Sequence, residues 1–503
     1  MFVVEARSEF GQSITRRRPA PGSQTGSAAR LSANLLSALA LILGVLTILG
    51  LLLALGRKGY DDPYITFRYA RNLLAGNGFV YNAGQRTLST TAPLYALLLA
   101  GLGLAWPDLP SLSNALSALS LLLAGLFLWS LARGRGERAT SLIAALLLIL
   151  SPHLIVTFGA ETCLYLALIL AGFLAYDRGR LNLCAGVMAL AAMVRPDALL
   201  AALALGSYHL ARRRPITWQP VALYISLLAG WIVGLWLYFG SPIPVTLAAK
   251  QHQARMASSQ LFEAGFLTFI RNQGRLPLYW LHAALALLGL ARVIGRARHW
   301  LPLLLWTALY FLAYTLLGVS SYFWYYAPLV PAFAILVAEG LASLATIVGT
   351  RLPRPAVMVL AGLLLVALLA PLLAGTLQTG WQDDPRAGAY QELGHWLAAN
   401  TPPGATIGAL EVGIIGYYAD RTMIGFAGLV QPEVARHLEA GTTYQDAAAW
   451  TIRAYQPDYV TLHRPAFATL ATSDWFLDRY QPVHDLGNGQ ALWLTLYRRR
   501  MGP

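Results

Sequence analysis

The sequence predicts a polytopic α-helical membrane protein of about eleven transmembrane helices, ending in a small mixed α/β domain outside the membrane. Three observations predict it. Hydrophobic residues fill 57% of the 503 positions and the mean hydropathy is +0.53, more apolar surface than a soluble fold of this size takes up. Arginine clusters recur between the apolar runs: Arg16 to Arg18, Arg133 to Arg138, Arg178 and Arg180, Arg212 to Arg214, Arg292 to Arg298, and Arg351 with Arg354. After Gly375 the chain becomes richer in charge and in turn signals such as Thr401-Pro402-Pro403-Gly404.

The arginine clusters fix the topology. If all are cytoplasmic, an even number of spans lies between each neighbouring pair. Residues 1–30 read as a disordered cytoplasmic leader, and the uncharged run Leu31 to Leu55 is too long for a signal-peptide core and becomes the first span. Leu112 to Ala132 is the second. Ala139 to Phe158 and Thr162 to Tyr176 follow as a pair, turning at Gly159, Ala160 and Glu161. Leu181 to Ala211 is a hairpin broken at Arg195, Pro196 and Asp197, with arms of about 14 residues, or roughly 21 Å at 1.5 Å per residue. Those arms are shorter than the bilayer core, so Arg195 and Asp197 are expected below the outer surface in a polar cavity. The remaining spans are Val221 to Phe239, Leu276 to Ala291, Trp300 to Gly318, Trp324 to Val348 and Pro355 to Gly375. Ala92 to Trp106 is placed as an amphipathic or re-entrant helix.

This topology gives a cytoplasmic N-terminus, a membrane domain over residues 31–375 and an extracytoplasmic domain over 376–503. Its outer face carries the first loop (Gly56 to Ser111), the loop Gly240 to Arg275 and the C-terminal domain. In that domain Ala387 to Ala399 reads as a helix, and Ala405 to Ile407, Tyr459 to Leu462 and Ala491 to Leu496 read as strands. The net charge of +14 does not point to nucleic acid, because the basic residues lie in short clusters between spans. Cys163 and Cys184 sit in or beside apolar runs and form neither a disulfide framework nor a zinc site.

Ionisable residues at the rim of apolar spans are expensive unless they serve a site, a pathway or a partner. Asp61 and Asp62 stand where the chain leaves the first span, followed by Pro63, the aromatic Tyr64 and the bases Arg68 and Arg71. Glu161, the Arg195 and Asp197 turn, Lys250 with His252 and Arg255, and the run Tyr322 to Tyr326 fall on the same predicted face. Each has a plainer reading. The acid pair also fits a helix start, Glu161 a dipole cap, Arg195 with Asp197 a self-neutralising pair, Lys250 with Arg255 headgroup anchors, and the tyrosines an interfacial belt. Together they shift the balance, because Arg57, Lys58, Arg68, Arg71, Arg86, Arg195, Lys250 and Arg255 form a cation excess where outer loops should be poor in bases. Such an excess suits an anionic ligand at the membrane surface, and a lipid-linked phosphate fits.

The motifs Asp61-Asp-Pro-Tyr-Ile-Thr-Phe-Arg-Tyr69, Thr90-Thr-Ala-Pro-Leu94, Gly159-Ala-Glu-Thr162, Arg195-Pro-Asp197 and Gly240-Ser-Pro-Ile-Pro through Lys250 resemble the GT-C superfamily of membrane glycosyltransferases. The resemblance is closest to the mycobacterial terminal arabinofuranosyltransferase group, which Gly413-Ile-Ile-Gly-Tyr-Tyr418 and Gly428-Leu-Val-Gln-Pro432 also match. Two positions depart from the pattern: Pro63 replaces a small residue, and Thr-Ala-Pro stands at Thr91 to Pro93 where Thr-Ser-Pro is usual.

The resemblance implies an inverting transfer of a sugar, arabinofuranose in that group, from a polyprenyl-phosphate donor to a glycan, lipid or protein acceptor on the outer face of the cell (inner or plasma) membrane. Asp61 is then the general base, with Asp62 holding Asp61, the loop or a metal. Arg195 and Lys250, with Arg68 or Arg71, stabilise the donor phosphate. Glu161, Asp197, Tyr64, Tyr322, Tyr325 and His252 contact substrate. A divalent cation, Mg or Mn, bridging Asp61 or Asp62 to the phosphate is compatible with the sequence and not required by it. Two other classes stay open: a transporter or flippase of a lipid-linked anionic sugar, and a non-catalytic assembly factor whose outer domain docks a partner.

Overall fold

The computed structural model describes residues 59–133, 138–256, 259–381, 385–437, 441–487 and 493–500. The leader, the expected span Leu31 to Leu55, Arg57 and Lys58 lie outside these residues.

Six described segments are long and apolar enough to cross a membrane: Leu109–Leu131, Trp218–Phe239, Pro277–Gly295, Arg298–Leu317, Phe323–Gly349 and Arg354–Thr379. The other expected spans are shorter helices. Arg138–Ile149 is followed by the single turn Pro152–Ile155, because Pro152 has no amide hydrogen to continue the first helix. Thr162–Asp177 is one helix, and the broken run forms Leu181–Val194 and Leu199–Ala211 around the turn Pro196–Ala198. Pro196 forces the residue before it out of helical geometry, and Arg195 is extended at φ −144°, ψ 123°. Pro93–Gly103 forms an apolar helix of 11 residues, too short to span.

Close helix packing in the bundle rests on small residues. A Cβ on Gly289 would lie 1.8 Å from the Leu336 carbonyl oxygen, and one on Gly340 would lie 1.9 Å from that of Leu285. The helices Pro277–Gly295 and Val330–Gly349 therefore meet backbone to backbone. Next to this seam the buried Glu339 accepts from Arg292 and from the Trp300 indole, both at 2.8 Å.

The C-terminal domain is built on a five-stranded sheet of order β2-β1-β3-β5-β4, with β1 Thr406–Ala409, β2 Thr422–Gly425, β3 Tyr459–Arg464, β4 Tyr480–Gly487 and β5 Trp493–Arg499. β1 pairs parallel with β2 and β3, while β5 runs antiparallel to β3 and β4. Helices Pro385–Asn400 and Tyr444–Tyr455 pack around it, the second opened by a capping box between Thr443 and Asp446.

The helix Asp61–Leu74 clamps this domain onto the membrane domain. Arg68 is buried and donates to the carbonyl oxygens of Gly416 and Arg421, and Arg71 donates to the carbonyl of Tyr417 and to Asp420 at 2.7 Å. The Tyr81 hydroxyl donates to the Val412 carbonyl at 2.6 Å, and Asn82 bonds both the amide and the carbonyl of Met423. Tyr64 is buried in the same joint, its ring 5.5 Å from that of Tyr417.

Candidate active site

Consecutive helix residues point about 100° apart. Asp61 and Asp62, at the start of the clamping helix, therefore face different neighbours. Asp61 turns to the C-terminal domain, where its two oxygens accept the backbone amides of Gly413 and Ile414, each at 2.8 Å. Asp62 turns into a cavity of about 600 Å³, a size suited to a small ligand.

The charged side chains that line it are Asp62, Glu161, Arg195, Asp197 and Lys250. The Arg195 guanidinium lies 2.6 Å from Asp197 and 3.6 Å from Glu161, and the Tyr314 hydroxyl donates to Asp197 at 2.7 Å. The Lys250 ammonium lies 3.5 Å from Asp62 and 3.7 Å above the Tyr322 ring. Tyr60, Trp324 and Tyr325 close one side, with Tyr60 stacked on Trp324 at 5.0 Å. Leu199 and Leu200 from one helix and Leu316 and Leu317 from another add apolar lining.

Burial pushes the Asp61 carboxyl above the usual carboxylate range, and although the Ile414 and Gly413 amides pull it back, it stays raised. Burial alone would lower Lys250; the Asp62 carboxylate overrides it and holds the ammonium above its ordinary value.

The structure gathers Asp62, Glu161, Arg195, Asp197, Lys250 and Tyr325 on one cavity, with Tyr322 beneath Lys250. Other expectations are corrected. Asp61, Arg68, Arg71 and Tyr64 are engaged in the clamp and do not line the cavity, because helical spacing carries them onto the face that meets the C-terminal domain. His252 does not line it either; its neighbour Gln253 is buried, accepting from the Tyr322 hydroxyl at 2.8 Å and donating to the Ala427 carbonyl at 3.0 Å.

The expected cation surplus is also absent from the cavity, which holds three acids against two bases. Arg86 lies over the Tyr238 ring and Arg255 is exposed, so among the described residues these bases do not converge on the cavity. Of the two carboxylates expected to hold a divalent ion, Asp61 is engaged by two amides and Asp62 faces Lys250.

Glu411 escaped the sequence reading. It is half-buried two residues before Gly413, and burial, followed by the carboxylates of Asp61 and Asp62, pushes its pKa well up. Its signal was a lone acid in the otherwise apolar Ala409-Leu-Glu-Val-Gly413, directly before a motif that had been singled out.

A family described as a domain of unknown function (DUF8728) matches residues 379–499, the C-terminal domain. No curated protein matches the sequence. Among solved structures, ArnT from Cupriavidus metallidurans bound to undecaprenyl phosphate aligns with a TM-score of 0.58 at 16% identity, over 90% of this chain and 97% of that one. Its apo state gives 0.60 at 14% identity, over 94% and 98%. The fold is shared with ArnT. The apo Archaeoglobus fulgidus oligosaccharyltransferase matches less fully, with a TM-score of 0.55 at 16% identity over 85% of this chain and 69% of that one. The chain shares the overall fold of these structures, with the arginine turn and the acid pair together on the helical bundle.

The joint between the domains carries a direct test. A Cβ on Gly413 would sit 1.9 Å from the Asp61 carbonyl oxygen, a backbone atom that cannot swing away. Gly413→Ala is expected to weaken the clamp by about 1–3 kcal/mol, so that limited proteolysis frees the C-terminal domain faster while the membrane domain stays intact. An unchanged cleavage rate would show that the joint tolerates displacement.

Proposed function

We propose that the protein is an inverting glycosyltransferase, moving a sugar from a polyprenyl-phosphate-linked donor to an acceptor at the outer surface of the membrane. One observation carries the reading: a single cavity divides its lining between the charged Arg195 and Lys250 and apolar leucines from two helices. A lipid phosphate has that same division. The fold shared with ArnT, whose structure held undecaprenyl phosphate, supports it.

The acceptor hydroxyl attacks the anomeric carbon as the bond from that carbon to the phosphate oxygen breaks, and the sugar inverts. Asp61 takes the hydroxyl proton: its two amide bonds fix the carboxylate and leave a lone pair on each oxygen for a proton. The departing phosphate gains negative charge, which Arg195 and Lys250 stabilise. Both bases are paired with acids only loosely on one side, at 3.6 Å to Glu161 and 3.5 Å to Asp62, so each can turn a donor hydrogen toward phosphate without leaving its place. Arabinofuranose is the proposed sugar, on the resemblance of the motifs, and the C-terminal domain is the proposed acceptor side because it holds Asp61.

Mass spectrometry of lipid that co-purifies with the protein tests this assignment. A polyprenyl phosphate is expected, and its sugar head names the donor; bulk phospholipid alone would count against it. The raised pKa of Asp61 sets the pH dependence. The base works only ionised, so transfer falls as pH drops through a pKa above the ordinary carboxylate range near 4. An acid limb at or below that range, measured on kcat/KM, would remove Asp61 as the base.

A further inference from the structure

The helices that frame the donor cavity have second ends. Thr162–Asp177 and Leu199–Ala211 start at that cavity, and Leu301–Leu317 finishes there. With 16, 13 and 17 residues they run roughly 24, 20 and 25 Å, so their far ends lie across the bundle.

Those far ends meet around a second cavity of about 160 Å³. Its floor is apolar, with Leu131, Phe173 and Leu205, and its rim carries Arg212, Arg214 and Arg298 with Asp177. Here the charge balance is the reverse of that in the donor cavity: three bases face one acid. None of the three guanidiniums has a carboxylate partner among the described residues. Arg212 lies 5.8 Å from the Tyr208 ring, Arg214 5.8 Å from the Tyr176 ring, and Arg298 donates to the Ile294 carbonyl at 3.0 Å. All three are exposed and can be reached from solvent.

We propose that this cavity holds the phosphate of an anionic phospholipid headgroup. The volume is that of a few water molecules, room for a phosphate and not for a whole lipid. The position at the end of apolar helices, with an apolar floor beneath a cationic rim, leaves the acyl chains against the bundle surface. A free phosphate would use the rim and gain nothing from the floor. Arginines clustered where helices leave the bilayer attract anionic headgroups, and guanidinium forks suit phosphate oxygens.

Native mass spectrometry of the purified full chain, with phosphatidylglycerol or phosphatidylcholine of equal chain length added, reads the site directly. Wild type is expected to retain one phosphatidylglycerol that the triple variant R212Q/R214Q/R298Q loses, with affinity falling on the order of a hundredfold. R298K, which keeps the charge, is expected to retain it. Thermal melting without added lipid checks that the triple variant is folded. Equal retention by wild type and a folded triple variant, or equal retention of the two lipids by wild type, would overturn the proposal. Inorganic phosphate at the same concentration is expected to leave the melting midpoint unchanged. Protection by phosphate alone, lost in the triple variant, would reassign the site to a soluble ligand.

Discussion

Asp61→Asn is expected to lower the proposed transfer by a factor of about 10² to 10⁴, the usual contribution of a positioned general base. That is roughly 3 to 5 kcal/mol of barrier, at about 1.4 kcal/mol per tenfold. The substitution removes the proton acceptor and keeps the shape. It also disturbs the clamp: an asparagine oxygen can accept one of the two amides at Gly413 and Ile414, but its NH₂ then faces the other. One buried amide left without a partner costs about 1–3 kcal/mol. Arg68, Arg71, Tyr81 and Asn82 still hold the same joint, so the variant is expected to remain assembled.

Two readouts separate loss of the base from loss of the clamp. Donor retained on purification and the protease resistance of the C-terminal domain should both stay near wild type while kcat collapses. Asp62→Asn gives the contrast. It unpairs Lys250 at the wall of the donor cavity, so its main effect is expected on KM for the donor. If Asp62→Asn costs a thousandfold in kcat and Asp61→Asn almost nothing, the cavity-facing carboxylate is the base and Asp61 serves only the joint.

The parts of this site that can be read in the sequence are those where burial makes a charge conspicuous. An Arg-Pro-Asp inside an apolar run, a glutamate at a helix turn and a lysine after a span end are expensive in a membrane, and all three reach the cavity. Arg68 and Arg71 were misplaced for a physical reason. A base in an outer loop looks the same whether it meets a phosphate or the carbonyls of a domain some 350 residues later in the chain, as Gly416 and Tyr417 prove to be. Glu411 was missed because its neighbours in space, Asp61 and Asp62, come only from the clamp.

In the fold, composition gave the spans, and local chemistry changed them: Pro152 cut one helix and Pro196 turned another. β2 and β4 are the edge strands, and β4 carries Pro482 beside a register shift. The strands that were legible, β1, β3 and β5, lie in the interior of the sheet.

Arg195→Gln is expected to be the most damaging substitution, through stability and chemistry together. Arg195 is 5% exposed and stands between Asp197 at 2.6 Å and Glu161 at 3.6 Å. Without it two partly buried acids are left with no cation between them. Removing one partner of a buried pair costs about 3–5 kcal/mol, so a fall in melting midpoint and poor yield are expected, along with a loss of transfer of at least about a hundredfold from the missing phosphate donor. Arg195→Lys restores the charge, but a single ammonium cannot replace the guanidinium's contacts with Asp197, Glu161 and the Tyr314 hydroxyl together; partial stability with weak activity is expected. The decisive variant removes an acid as well. In Arg195→Gln with Asp197→Asn the unbalanced charge is gone, so stability should recover most of what the single variant lost, while transfer should not. If transfer returns with stability, Arg195 holds the cavity wall and the leaving phosphate is stabilised elsewhere, with Lys250 the cation left to do it.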